Sequence, residues 1–155
     1  MPLQALTLSV FGVLLWAADR FSPRADTVRI PSWRTALGVG LAQCLALVPG
    51  VSRSGITMTA GRVAGLSRIS AARFSFLLST PVTLAAVAYK MLKDSDQLLH
   101  QLPFSTLLIG MVSSALFSFI AIRFMLGLLR RTGFGVFAVY RVALAAGLLV
   151  WAARA

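Results

Sequence analysis

Seven residues, Pro49-Gly50-Val51-Ser52-Arg53-Ser54-Gly55, interrupt an otherwise apolar stretch with two glycines, two serines and an arginine. The apolar arms on either side, Thr35 to Val48 and Ile56 to Leu66, hold only about 14 and 11 residues. A helix needs about 20 residues to cross the hydrocarbon core of a bilayer, and arms of 10–14 suit a segment that enters and returns. The break predicts a re-entrant hairpin over about 35–66, with its polar tip at membrane depth. An arginine at the bilayer centre costs at least about 2.5–3.5 kcal/mol, so Arg53 needs a partner. The alternative is one helix kinked at Pro49.

The rest of the chain explains why membrane depth is the right frame. Of its 155 residues 58% are apolar, and the apolar runs recur from end to end. Fifteen Lys and Arg face four Asp and no Glu, a net charge of +11. The arginines sit at the ends of apolar runs and form no basic, aromatic-lined surface, so positive-inside loop charge accounts for them and no nucleic-acid partner is expected. The single cysteine, Cys44, lies within an apolar run, which excludes an intrachain disulfide and predicts a buried, inert thiol. The run Leu3–Ala18 ends in Asp19-Arg20 without a small-residue cleavage pattern, and reads as a retained transmembrane helix with no preceding domain.

In chain order, Leu3–Ala18 is followed by a polar loop from Asp19 to Trp33, whose charges and prolines forbid burial. The hairpin follows, then a short amphipathic approach from Arg68 to Arg73. Phe74–Met91 makes a span containing Pro81, and Lys90 to His100 a polar turn on the opposite side. Spans Phe104–Ile122 and Val136–Trp151 complete an all-α membrane bundle forming a single domain over 1–155. With a re-entrant hairpin, nine basic residues fall on the side of Arg20 and three on the side of Lys90, which makes the first side cytoplasmic. A through-going helix would largely abolish that bias. Arg53, Arg62 and Arg141 remain at membrane depth. Gly61 and Gly65, beside Ala60 and Ala64, offer the returning arm a small-residue face for close helix contact.

The tip carries what an anion requires. Pro49 ends the first arm. Gly50 and Gly55 permit close backbone approach, while Ser52, Ser54 and Thr57 add hydroxyls. The second arm, starting near Gly55, turns its free N–H groups and positive dipole end into the loop. Arg53 adds a fork matched to phosphate oxygens. Phosphoester hydrolysis also needs a base or a carboxylate-held metal. The chain has no glutamate, its aspartates read as loop residues, and its one histidine, His100, lies on the far side. The composition gives an anion clamp without a base.

At these residues the sequence resembles the undecaprenyl-diphosphate phosphatase (bacitracin-resistance) family. The matching stretches are Gly40-Leu41-Ala42-Gln43, Leu45 to Thr57, Gly65-Leu66, Ala71 to Leu78 with Pro81, and Phe137-Ala138-Val139-Tyr140-Arg141. The resemblance implies dephosphorylation of undecaprenyl diphosphate in the bacterial inner membrane. It also implies an architecture of two inverted repeats, of which this chain resembles the C-terminal one. Arg53, Ser52 and Thr57 then correspond to catalytic positions, with Gly50, Ser54 and Gly55 holding phosphate. The family's paired glutamates and histidine have no match here, so a missing N-terminal half or a second copy of the chain would complete the site. Any divalent cation would take its ligands from that half, and this chain itself holds no cofactor. Ile69-Ser70 departs from the family, which commonly has an acidic residue there, and predicts the loss of an ion pair to Arg68 or Arg73. An anion or lipid-phosphate transporter half, or an inactive remnant, would use the same features.

Overall fold

The structure, a computed structural model, describes residues 2–22, 30–101 and 103–154. Pro23, Arg24, Asp26 and Arg29 of the expected first loop lie outside the described residues. Every regular element among the described residues is helical. The elements are α1 (Pro2–Phe21), α2 (Trp33–Gln43), a 3₁₀ turn (Cys44–Leu47), α3 (Arg53–Val63), α4 (Arg68–Gln101), α5 (Phe104–Thr132) and α6 (Gly135–Arg154).

Among the described residues three helices are long and apolar enough to cross a membrane: Arg68–Lys93 within α4, Phe104–Thr132 and Gly135–Arg154. These include the three later spans read from sequence. The first expected span forms α1, a helix of 20 residues. The structure also corrects two boundaries. No turn separates Arg73 from Phe74 or follows Lys90, since α4 runs unbroken from Arg68 to Gln101. Lys, Asp and Gln are compatible with a helix, and with no Gly or Pro between Pro81 and Pro103 nothing in the backbone stops it. Similarly, α5 carries Arg123, Arg130 and Arg131 on its last turns and ends only at Gly133, where φ is +70°.

The expected hairpin arms appear as two 11-residue helices, α2 and α3, packed on each other with the 3₁₀ turn and the loop at 48–52 between them. Ser32 caps α2 by accepting the Thr35 N–H at 3.3 Å. At the other end of α3, Gly65 adopts φ +83°. Its N–H reaches Arg62 O at 2.9 Å and the Leu66 N–H reaches Gly61 O at 3.0 Å, the bond pair of a Schellman stop. Of the two glycines expected to form a packing face, only Gly61 does so: a Cβ there would lie 3.1 Å from Ala71 Cβ on α4, whereas Gly65 has open space. Small residues also let α1 and α6 meet, with Gly12 set against Arg141 Cβ and Ala145 fully covered. Close contact of this kind holds helices together in lipid, where burial of apolar surface alone supplies little drive. Leu15, Met58, Ala72, Leu129 and Phe134 form the packed centre, drawn from α1, α3, α4, α5 and the α5–α6 turn.

At the base of this centre the sequence reading of Asp19 is overturned. Asp19 is buried, 7% exposed, and is the last-turn residue of α1 rather than the start of an aqueous loop. Its Oδ1 faces Arg68 Nε at 2.7 Å and Arg62 Nε at 3.3 Å, while Oδ2 accepts the Phe134 N–H at 3.1 Å. Arg62, 2% exposed, also donates to Leu66 O at 2.6 Å and to the carbonyls of Asp19 and Ser22 at 3.3 Å. A charge forbids burial only while it is unpaired; here one carboxylate ties the ends of α1, α3, α4 and α5 together. The same node explains the Ile69-Ser70 departure, because Arg68 pairs with Asp19 and Ser70 is taken up by Ser67, whose Oγ caps its N–H at 3.1 Å. Cys44 is exposed on the 3₁₀ turn, contrary to the expected burial, because that turn lies on the uncovered side of the α2–α3 pair.

Candidate anion site at the start of helix α3

The loop that precedes α3 is held from two sides. From α1, the Thr7 hydroxyl lies 2.7 Å from Pro49 O, positioned to donate. Gly50, at φ +94°, sits so close that a Cβ would lie 2.7 Å from Gln4 O and collide with Thr7 Oγ1. Glycine at 50 is therefore required by the approach of α1. From α6, the Nη2 of Arg141 donates to Gly50 O and Val51 O, both at 3.0 Å. Val51 is fully buried, and its N–H closes the turn on Val48 O at 3.2 Å.

Ser52 follows at φ +59°, the only described non-glycine residue in the left-handed region. Such a conformation costs about 1–3 kcal/mol and persists only where the surroundings impose it, a pattern that clusters at ligand sites. Its Oγ caps α3 by accepting the Gly55 N–H at 3.3 Å and lies 3.5 Å from Ser54 Oγ. Both serines are exposed. The N–H groups of Arg53 and Ser54, in the first turn, have no acceptor within the helix, and the positive end of the dipole lies beside them. Ser52, Ser54, Gly55 and Arg141 share a cavity of 180 Å³ with apolar neighbours such as Met58 and Phe137.

Arg53 and Thr57 take the other side of α3. Arg53, partly exposed, donates from Nη2 to Ser79 O on α4 at 3.3 Å. Thr57 is 1% exposed, its Oγ1 lying 2.6 Å from Ser75 Oγ and 3.0 Å from Arg53 O. The six residues singled out in sequence thus cluster within one loop and two helical turns, but only Ser52, Ser54 and Gly55 share the cavity with Arg141. Gly50 lies partly covered against α1, and Thr57 is buried under α4. Arg141 was visible as a charge at membrane depth, yet its partner carbonyls lie about 90 residues away in sequence, and no local pattern links them. Thr7, Gly12 and Ser79 gave no signal, and Ser75 showed only as part of the matching stretch Ala71 to Leu78. The Arg141 guanidinium, the Ser52 and Ser54 hydroxyls and a helix N-terminus favour an anion, with Arg53 on the far face of the same turn, and this donor set does not fit a divalent cation.

A helical membrane protein whose half-length helix begins at a polar, cationic loop defines the class. The chain belongs to the Bacitracin resistance protein BacA family, whose model matches residues 1–147. It is 52% identical over 151 residues to the Undecaprenyl-diphosphatase of Gemmatimonas aurantiaca, covering 97% of this chain and 55% of that protein. It is 44% identical over 149 residues to the Undecaprenyl-diphosphatase 1 of Pseudoalteromonas translucida, covering 95% of this chain and again 55% of the relative. The chain thus spans about half the length of the curated relatives it matches.

Proposed function

We propose that this chain is the arginine-bearing half of a phosphatase that converts undecaprenyl diphosphate to the monophosphate in the bacterial inner membrane. The observation that carries the reading is the loop at 49–55: a strained Ser52 cap, free first-turn N–H groups and Arg53, with Arg141 reaching it from α6, at the start of a helix of 11 residues, or about 16 Å. That length is about half the hydrocarbon thickness. It suits a re-entrant hairpin with its tip near midplane, one repeat of an inverted pair.

In this reading the Ser52 and Ser54 hydroxyls take the diphosphate oxygens, and Arg53 joins them by leaving the Ser79 carbonyl that it holds at 3.3 Å. Gly50 and Gly55 let the backbone come close, and Thr57 holds the first turn of α3 in place. Water adds to the terminal phosphorus and the bond to the bridging oxygen breaks, leaving inorganic phosphate and the lipid monophosphate. The cationic loop stabilises the charge that grows on the leaving oxygens, the principal service a protein renders in phosphoryl transfer. The group that activates the water comes from a separate N-terminal half, because another copy of this chain would bring no glutamate either. Any divalent cation would be held there.

The test is phosphate release from a prenyl diphosphate in membranes, with this chain alone and co-expressed with the N-terminal half of a relative. Release is expected in the second case only, and Arg53→Ala should lower it about 10²–10³-fold, the scale for loss of one preorganised charge stabiliser. Absence of release from the co-expressed pair would overturn the proposal.

A further inference from the structure

Arg141 is 93% buried by its 7% exposure, yet its Nε and Nη1 have no hydrogen-bond partner among the described residues. Its two bonds are both to carbonyls, Gly50 O and Val51 O. The one carboxylate whose side chain is described close to the bundle, Asp19, is fully engaged by Arg62, Arg68 and the Phe134 N–H. Nη1 presses on Gly55, where an added Cβ would run into it. A guanidinium therefore lies against the positive end of α3 with no anion beside it. Like charges at close range in a low dielectric are costly, so the bonds to the Gly50 and Val51 carbonyls are what keep the guanidinium in this place.

The geometry points to a specific task, and we infer that Arg141 is the positioning residue of the phosphate loop; the inference rests on the functional reading above. In a trans peptide unit the C=O and N–H point opposite ways. By holding the Val51 carbonyl on its own side, Arg141 turns the Ser52 N–H of that unit away from itself. With the Gly50 carbonyl held as well, the chain enters Ser52 in the strained φ +59° conformation. The loop thereby presents N–H groups and hydroxyls, rather than carbonyl oxygens, to a phosphate. One nitrogen, Nη2, holds both carbonyls at 3.0 Å, and the length of the arginine side chain sets it there. A lysine ammonium ends one bond short of that position.

The experiment compares Arg141→Lys and Arg141→Met with the wild-type chain, each first required to retain wild-type helix content by circular dichroism. Amide hydrogen exchange reads the loop directly, and turnover of a prenyl diphosphate with the co-expressed N-terminal half reads its consequence. Both variants should speed exchange across residues 48–56 about tenfold or more, leaving 104–122 unchanged. Both should lower kcat about 100-fold while KM moves less than about threefold, as expected of a misplaced rather than a missing contact. Unchanged loop exchange in the lysine variant, or faster exchange with wild-type kcat, would overturn the inference. If the wild-type pair releases no phosphate, the phosphatase reading falls, and the positioning role then stands or falls on the exchange alone.

Discussion

Two buried arginines, Arg62 and Arg141, sit at opposite ends of α3, and their surroundings differ in one respect. Arg62 has a carboxylate: Asp19 lies 3.3 Å from its Nε, and three carbonyls take its other donors. Arg141 has only carbonyls. At the base the protein supplies the anion itself, so the charge is consumed in joining helix ends. At the loop no side chain among the described residues neutralises the guanidinium, and the serines and first-turn N–H groups beside it offer further donors. A buried cation matched by its own carboxylate reads as structure; one held only by carbonyls beside a helix N-terminus is what the proposed function turns to use. In a chain with four aspartates and no glutamate, the placement of Asp19 decides which end is which.

The largest effect expected on this contrast comes from removing that carboxylate. Asp19→Ala leaves Arg62 buried with its charge uncompensated and the Phe134 N–H without its acceptor, and breaking a buried pair in this way costs about 3–5 kcal/mol. Thermal unfolding in detergent micelles should show a large drop in midpoint, and a midpoint near that of the wild type would erase the distinction between the two ends. A smaller effect is expected at the loop from Gly55→Ala. The added methyl meets Arg141 Nη1 and comes within 3.3 Å of Ser52 Oγ, an overpacking worth about 1–3 kcal/mol. Because a side-chain end causes the clash, the cost should shrink in an Arg141→Met background. Full additivity of the two changes would place Arg141 elsewhere.

Much of this was legible in the residues. Pro49 and Gly50 announced the break, the 14- and 11-residue arms gave the paired short helices, and the Ser-Arg-Ser-Gly run located the start of α3 to within two residues. Local chemistry fixes such features, and local chemistry is what a sequence displays. What it hid depends on distance along the chain. Asp19 reads as loop because an aspartate after an apolar run normally meets water; only the convergence of Arg62, Arg68 and Phe134, between 43 and 115 residues away, makes its burial affordable. The polar stretch after Lys90 reads as a turn because polarity suggests exposure, yet exposure does not end a helix, and α4 runs on to Gln101. Gly50 and Gly55 were read as room for a ligand, and the structure adds that α1 and Arg141 already occupy much of that room.

The smallest change sharpens the comparison most, because it asks which arginine Asp19 serves. Arg68 Nε makes the shorter contact, 2.7 Å against 3.3 Å for Arg62, but Arg68 is 37% exposed and Arg62 only 2%. Distance favours Arg68; burial favours Arg62. Water screens a half-exposed pair to about 0–1 kcal/mol whatever its length, whereas a guanidinium deprived of solvent depends on its counter-charge. Arg68→Ala should therefore lower the unfolding midpoint by an amount worth less than about 1 kcal/mol, well below the cost of Asp19→Ala, since Asp19 retains Arg62 and the Phe134 N–H. A loss at Arg68 equal to that at Asp19 would mean that the exposed pair carries the node, and that burial is the wrong criterion for separating Arg62 from Arg141.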